Sequence, residues 1–265
     1  MYSRDRGPQG GGADPTRSGP RHQEATVVCT VSWLHGPGGY TLWHSRDERR
    51  SRGPGLPPEF GSSGEGVSWI APRDTDAGGT WVGVNTRGVT IGIANLFLRL
   101  PPLPPDRKLS RGLLVRDLLD SRSVAEAEER VGRVDLSWFE PFTLAAVDEA
   151  GIPRLLRWDR TQLRLVAPLG PVLLVTSAGP GAGIERRRKE LFERESAAGH
   201  LTGERLEALY RAPPTPDGVG LCVQRPEVGT VSLTRVDVRT GAVSLTYTPG
   251  PPCRVPAGRA ITLRR

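Results

Sequence analysis

The chain has 265 residues, a formal net charge of +7 and an isoelectric point of about 10. The excess charge is arginine, because Lys108 and Lys189 are the only lysines, and 25 prolines and 33 glycines accompany it. This bias is typical of a GC-rich genome, and the basic residues are scattered except in the run 186–189. We interpret that run as a solvated helix face and predict no nucleic-acid partner.

The cysteines and the apolar runs of the chain bear on its location and on whether it spans a membrane. The three cysteines, Cys29, Cys222 and Cys253, do not make a disulfide framework, and the lack of a CxxC spacing disfavours a zinc site. We interpret Cys222 as a core residue, Cys253 as a tail residue and the location as the reducing cytoplasm. No stretch approaches the roughly 20 apolar residues of a membrane span. The first residues also lack the pattern of a secretory signal.

The first 26 residues contain almost no large apolar side chains. Such a segment cannot bury enough surface to offset its ordering entropy, so we predict a disordered N-terminal extension. One domain is expected over residues 27–249, followed by a loose tail over residues 250–265.

The domain is expected to begin with two hairpins. Strands over 27–34 and 40–45 flank a Gly/Pro loop, residues 35–39, and residues 52–68 form a polar loop. A second hairpin turns at Asn85–Gly88, which sets Gly79 close to Asn95.

Helices and strands then alternate in segregated groups. We predict helices over 110–119, from Ser123, over 184–197 and over 203–210, and strands over 142–147, 154–159, 163–166, 172–176, 220–224, 230–238 and 242–247. The pattern Ser123-Val-Ala-Glu126 predicts a capping box. This order favours an α+β fold with antiparallel sheets over a doubly wound parallel sheet.

The spacing of Cys29 and the run Ser45–Glu48 is the most informative chemical feature. In an antiparallel hairpin residue 29 faces residue 44 or 45, so the thiol is expected near Arg46 and Asp47 at the open end. A cysteine with a cation and an orienting acid is how proteins build a thiolate nucleophile. The alternatives are a buried structural thiol and a hairpin-end ion pair.

Other residues near these hairpins have two interpretations each. Asn95 is either a strand-ending turn residue or an oxyanion donor. Gly78, Gly79 and Trp81 are interpreted as architecture, through close backbone approach and a core aromatic ring. His44 is interpreted as a solvent-facing strand residue.

Three blocks of sequence carry a family resemblance. They are Cys29-Thr-Val, Ser45-Arg-Asp-Glu48, and Gly78-Gly-Thr-Trp-Val-Gly-Val84. Weaker matches are Val175-Thr-Ser177 with the helix that follows it, and Gly229-Thr-Val-Ser232. Over residues 27–247 the chain resembles the NRDE, or Transport and Golgi Organization 2, family, which typically reads Asn-Arg-Asp-Glu where this chain has Ser45–Glu48.

The resemblance implies a fold and a chemistry. The family is similar to the N-terminal-nucleophile hydrolases, which have a four-layer αββα sandwich, and especially to their cysteine branch. It implies hydrolysis of non-peptide amide bonds, with Cys29 as nucleophile and its own α-amine as base, assisted by Arg46 and Asp47. An α-amine titrates near about 8 and a thiol near about 8.5, so proton transfer between them is almost isoenergetic. Ser177 stands where the related hydrolases place an asparagine, and Asn95 is the other candidate oxyanion donor.

That chemistry needs Cys29 as residue one. An acylated nitrogen is no base, so either cleavage before Cys29 or a later start must expose the amine. Val28 directly precedes Cys29, and the GUG codon of valine is a common bacterial initiator. The composition of residues 1–26 favours this second route.

The resemblance also allows a non-catalytic alternative. Family members have been linked to haem handling and to secretory-pathway organisation, so a small-molecule binding or trafficking protein is the second hypothesis. Cys29 would then be a thiolate ligand, with His44 as a second contact to haem. Under the hydrolase hypothesis we expect a small-molecule amide as partner and no cofactor.

Overall fold

The structure is a computed structural model. It describes residues 29–63, 66–151, 153–168, 173–175, 183–197, 201–217 and 219–265. The predicted extension over residues 1–26, as well as Val28 and Ser177, lie outside the described residues.

Thirteen strands and four α-helices make up the described parts of the chain. The strands are β1 (Thr30–Gly36), β2 (Gly39–Arg49), β3 (Gly55–Ser62), β4 (Ser68–Asp74), β5 (Val82–Asn85), β6 (Thr90–Asn95), β7 (Phe142–Val147), β8 (Arg154–Trp158), β9 (Leu163–Val166), β10 (Leu173–Val175), β11 (Val228–Arg239), β12 (Ala242–Thr248) and β13 (Ile261–Arg264). The helices are α1 (Arg111–Leu118), α2 (Val124–Arg133), α3 (Gly183–Ala197) and α4 (Gly203–Arg211).

The strands form two antiparallel sheets. The first has the order β10-β1-β2-β11-β12-β13, and the second has the order β3-β4-β5-β6-β7-β8-β9. Hydrophobic residues of both sheets pack against each other in one cluster between them, including Val31, Leu42, Val84 and Val236. Helices α1 and α2 pack on the second sheet, and α3 and α4 pack on the first. The predicted α+β four-layer αββα sandwich is therefore confirmed.

Several local predictions agree with the structure. Pro37 and Gly38 turn the first hairpin, and Gly38 has a φ of 72°, which glycine adopts without strain. Asn85 accepts a backbone hydrogen bond from Gly88 in the second turn. Ser110 and Ser123 cap α1 and α2, each side chain accepting a hydrogen bond from the first turn of its helix.

Other boundaries differ from the predictions. Strand β2 continues to Arg49, so the run Ser45–Glu48 lies inside a strand instead of following it. The predicted loop at 52–68 contains β3, an edge strand that tolerates its two prolines because it has only one neighbour. The predicted strand at 220–224 is irregular, and only Gln224 forms an isolated bridge, to Gly229.

The C-terminal residues are ordered, so the predicted loose tail is wrong. Strand β13 pairs with β12 and completes the first sheet. Cys253 forms a disulfide bond with the buried Cys222, which corrects the expectation that the cysteines do not pair. Spacing alone does not reveal which cysteines meet. Disulfide bonds are rare in cytosolic proteins, so the cytoplasmic location stays a prediction that this bond opposes.

Candidate functional site

The hairpin β1–β2 places Cys29 level with Arg46. The register pairs Thr30 with Ser45, and one further step brings residue 29 opposite residue 46, one position beyond the predicted pairing. Side chains alternate between the faces of a strand, so Cys29 lies on the same face as Val31, between the two sheets. Residues opposite each other share a face, and Arg46 accordingly projects to the same side.

Cys29 is a buried thiol at the edge of a cavity. Its side chain is 7% exposed and lines a cavity of about 440 Å³ between the sheets, together with Arg46, Trp81 and Asn95. The Sγ donates to the main-chain oxygen of Asp47 over 3.7 Å. Burial, followed by the negative charge of Asp47, raises the pKa of this internal cysteine to about 12.

Arg46 is buried and held by carboxylates. Its Nη2 lies 3.2 Å from Asp74 Oδ2 and 3.8 Å from Glu48 Oε2. The guanidinium stacks 4.3 Å from the ring centroid of Trp81. Among the described residues, no group accepts a hydrogen bond from its Nη1. The site therefore contains a fixed positive charge on the same face as the thiol.

Asp47 projects to the opposite face of the sheet. Its Oδ1 accepts a hydrogen bond of 2.6 Å from Thr230 Oγ1, at the point where a register shift interrupts the β2–β11 pairing. Burial raises the pKa of Asp47 to about 6, and the charge of Arg188 acts in the other direction. The carboxylate of Asp47 is therefore not beside the thiol, contrary to the prediction. Its main-chain carbonyl contacts Sγ, whereas the carboxylate lies on the face that the helices cover.

Arg188 connects α3 to this face and was missed by the sequence analysis. The guanidinium is fully buried and donates to Thr30 Oγ1 over 2.8 Å and to the carbonyls of Val219 and Gly220. The predicted solvated helix face at 186–189 is therefore wrong for Arg188, although Arg186 is exposed. The signal was present, since Arg188 and Phe192 are four residues apart and share the buried face of α3.

His44 is also buried, contrary to the solvent-facing prediction. It is fully enclosed, and its Nε2 lies 3.0 Å from the carbonyl of Ile93 across the sheet interface. Burial lowers its pKa to about 4, so the ring is neutral at pH 7. Its place on β2 between Leu42 and Arg46, on the inter-sheet face, explains the burial.

The Gly-Gly-Thr block brings α1 to the cavity. A Cβ on Gly79 would lie 2.3 Å from the carbonyl carbon of Gly112, so only glycine allows this approach. The amide of Thr80 donates to the carbonyl of Gly112 over 3.0 Å. The architectural interpretation of Gly79 agrees with this contact, and its effect is to place Ser110 and Arg111 on the cavity wall.

Asn95 ends β6 and lines the same cavity. Its side chain forms no hydrogen bond with another described residue, so its amide is available to a ligand. Glu48, from the predicted run, also lines the cavity. Five further charged lining residues were not predicted: Arg52, Asp74, Lys108, Arg111 and Glu140. Most come from segments distant in sequence, and no local pattern marks them as neighbours.

A larger cavity of about 990 Å³ lies on the helix side of the first sheet, lined by residues such as Trp43 and Glu207. It contains none of the predicted site residues, and we place the candidate site in the smaller cavity because the thiol lies there. In the described part of the chain, no group of three or more His, Cys, Asp or Glu side chains is arranged to hold a metal ion.

Comparison with known proteins identifies the family. The family model described as Transport and Golgi organisation 2 matches residues 32–164. The chain belongs to the Transport and Golgi organisation 2 family. The family resemblance that the Cys29, Ser45–Glu48 and Gly78–Val84 blocks indicate is thereby confirmed. A search of curated proteins found no match.

Solved structures support the fold. Penicillin V acylase from Agrobacterium tumefaciens has a TM-score of 0.54 and 13% identity, over 83% of each chain. The N-acylethanolamine-hydrolyzing acid amidase ortholog from Caenorhabditis elegans has a TM-score of 0.54 and 12% identity, over 78% of this chain and 91% of that one. A variant of conjugated bile acid hydrolase from Clostridium perfringens has a TM-score of 0.54 and 9% identity, over 89% of this chain and 97% of that one. These N-terminal-nucleophile hydrolases share the fold, and identities this low show the fold alone.

No helix in the described ranges combines the length and the apolar character needed to cross a bilayer.

Proposed function

We propose that this chain is an amidohydrolase of the N-terminal-nucleophile type, which cleaves non-peptide amide bonds with Cys29 as nucleophile. The observation that carries the proposal is the position of Cys29, immediately before β1 and on the wall of the inter-sheet cavity with Arg46. The fold neighbours are named for amide substrates, which adds support by analogy.

The thiol needs a base, and the carboxylates of the described cavity wall are held in ion pairs with Arg46, Arg52 and Lys108. His44 is neutral, but its Nε2 is engaged by Ile93 and the ring is enclosed. With a chain attached to its nitrogen, Cys29 has a pKa of about 12 and stays protonated. We therefore propose that the active form begins at Cys29, where the free α-amine, with a pKa near about 8, accepts the thiol proton.

Each step then has a named group. The Cys29 thiolate attacks the amide carbon, and Arg46 offsets the negative charge near the sulfur. The resulting ammonium of Cys29 gives its proton to the leaving amine as the C–N bond breaks, which leaves an acyl thioester on the sulfur. The α-amine next takes a proton from water as that water attacks the thioester, and the carboxylic acid leaves with the thiol restored.

Two residues would assist from fixed positions. The amide of Asn95, on the cavity wall, would donate to the oxyanion of the tetrahedral intermediate. Ser177 stays a weaker proposal for the same role. Asp47 would act as a positioning residue, because its carbonyl accepts from Sγ and its carboxylate is held on the far face by Thr230.

The experiment compares two forms of the protein, the full 265-residue chain and a chain that begins at Cys29, on N-acyl amino acids, bile-salt-like amides and lactams. The shorter form should release amine from at least one class, and Cys29→Ser should reduce release to background. Sequencing the N-terminus of native protein should give Cys29. Activity with an intact Met1, or no release from any class by the verified shorter form, would contradict the proposal.

The haem alternative gains no support from His44. The ring is fully buried and its Nε2 already faces the carbonyl of Ile93, so it reaches a ligand only if the sheet interface opens.

A further inference from the structure

Arg111 is the one cation of the described cavity wall that forms no ion pair within 4 Å, and the charges of Glu140 and Glu48 act on it only from farther away. It is the first residue of α1 and lines the cavity with Cys29. Its Nη1 donates to the carbonyl of Pro141 over 2.8 Å, which fixes the guanidinium. Among the described residues, no Asp or Glu oxygen lies within 4 Å of its guanidinium nitrogens.

The other charges of the wall compensate one another. Asp74 binds Arg52 over 2.6 Å and Arg46 over 3.2 Å, and Glu48 lies within 4 Å of the same two arginines. Glu140 lies 3.5 Å from Lys108. Arg52 also lies 3.6 Å from Asp76, beside the wall. Each of the other three cations of the wall thus has a carboxylate partner within 4 Å, and Arg111 has none among the described residues.

Spare donors accompany this uncompensated charge. Asn95 forms no hydrogen bond with another described side chain or backbone group, and Arg46 Nη1 has no partner. A partly buried guanidinium without an acid is costly, and burial lowers the pKa of Arg111 to about 10, which still leaves it charged at pH 7. A bound anion would compensate it in a site where water competes weakly.

Arg111 is also close to the proposed reaction centre. Cys29 and Arg111 line the same cavity, and the Gly79–Gly112 contact holds the start of α1 against its wall. A ligand that fills this cavity therefore meets both the thiol and the guanidinium.

We propose that the cavity selects amides that carry a carboxylate, such as N-acyl amino acids, and that Arg111 is the residue that binds this carboxylate. The inference rests on the proposed function for the identity of the site, and its test measures binding without turnover. Neutral amides of the same shape would lack the charged partner and would leave Arg111 uncompensated.

The test uses a matched pair of ligands, N-octanoylglycine and the neutral N-octanoylglycinamide. Their affinities are measured by isothermal titration calorimetry on the full chain carrying Cys29→Ala, which removes the nucleophile. A charge-assisted hydrogen bond predicts about ten-fold tighter binding of the carboxylate. Adding Arg111→Gln should remove the difference and leave the affinity for the neutral ligand unchanged.

Two further variants separate charge from folding. Arg116→Gln alters an exposed arginine of the same helix, which donates to the carbonyl of Gly78, and should keep the ten-fold preference. Arg111→Lys keeps the charge but not the planar fork, and should keep part of the preference.

Equal affinities for the two ligands, no binding of either, or a preference that survives Arg111→Gln would overturn the inference. A preference that depends on Arg111 in a protein that hydrolyses no amide would support the inference and contradict the hydrolase proposal alone.

Discussion

The two faces of the first sheet at the β1–β2 hairpin differ in how they hold charge. On the inter-sheet face, Arg46 shares two carboxylates with Arg52 beside a cavity. On the helix face, Asp47 and Arg188 are enclosed, and the hydroxyl of Thr230 donates a hydrogen bond to the Asp47 carboxylate. Adjacent residues of one run thus enter two environments, because a strand alternates its side chains. We therefore propose that the cavity face serves the reaction and that the helix face mainly stabilises the fold.

Arg188→Met should give the largest loss of stability. The substitution removes the stronger of the two arginine charges that favour the ionised form of the buried Asp47, the other being Arg225. It also removes the donors to Thr30 and to the carbonyls of Val219 and Gly220. Breaking such a buried pair costs about 3–5 kcal/mol of unfolding free energy, measurable by urea denaturation.

The matched control is Arg186→Met on the same helix. Arg186 is exposed and pairs only with Glu190, so its loss should change stability by no more than about 0.5 kcal/mol. Equal losses of unfolding free energy for Arg188→Met and Arg186→Met would contradict the claim that the buried Arg188 stabilises the helix face.

The pH dependence of stability should contain a contribution from His44. Its folded pKa, about 4, lies below the ordinary value, so the folded state binds fewer protons than the unfolded state between about pH 4 and 6.5. Stability from this group is present above that window and is lost as the pH falls through it. The contribution amounts to at most about 3 kcal/mol.

The measurement is the difference between His44→Gln and the parent in urea midpoints across that window. The contribution of Asp47 to the pH dependence is the same in both proteins and cancels in this difference. Because its pKa is raised to about 6, that contribution makes stability fall as the pH rises from about 4 to 6. His35→Gln, an exposed histidine of the same hairpin, is the control. A parallel pH profile for His44→Gln and the parent would contradict the burial of a neutral ring.

Thr230→Val tests the hydrogen bond to Asp47. Removing the hydroxyl leaves Asp47 Oδ1 without its donor and the amide of Val223 without its acceptor. The loss should be about 2–3 kcal/mol at pH 7, where Asp47 is ionised, and only the part due to Asp47 should depend on pH. The cost should shrink below pH 6 as Asp47 takes up a proton.

Thr234→Val is the matched control for this substitution. Thr234 lies on the same strand, is equally buried and has no partner for its Oγ1. We expect the unfolding free energy of the Thr234→Val variant to stay within about 0.5 kcal/mol of the parent value or to rise. A larger loss at Thr234 than at Thr230 would refute the assignment of the hydrogen bond.

Arg46→Met should have the smallest effect on stability, about 1 kcal/mol, because Arg52 still compensates both Asp74 and Glu48. Alkylation of Cys29 by iodoacetamide in the form that begins at Cys29 should nevertheless slow at least several-fold, since the cation near the sulfur is lost. Arg73→Met, an exposed position on β4, should change neither quantity. A large stability loss with unchanged alkylation would reverse the roles that we assign to the two faces.

The order of the predicted elements indicated the α+β class, the family resemblance indicated the four layers, and local patterns predicted most boundaries of helices and strands. Periodicity and turn residues located α1, α2 and the strands β7 and β9, because local chemistry determines them. Strand β3 was not predicted, because its two prolines are typical of a loop. Strand β13 was not predicted either, because it pairs with β12 across the segment that separates them.

The site was predicted in part. The hairpin spacing located Cys29 and Arg46 within one residue of the observed register, since a tight turn fixes pairing. It could not reveal that Asp47 faces Arg188 or that Arg111 joins the cavity. Those contacts depend on helices that start far along the chain, and no local pattern records them.

The central claim is tested most directly by trapping the covalent intermediate. Protein that begins at Cys29 is mixed with N-octanoylglycine, quenched in acid and digested, and the N-terminal peptide is weighed by mass spectrometry. The account predicts an octanoyl group on the peptide that begins at Cys29, with release of free glycine. An unmodified Cys29 peptide, or acylation at any other residue while glycine is released, would contradict it.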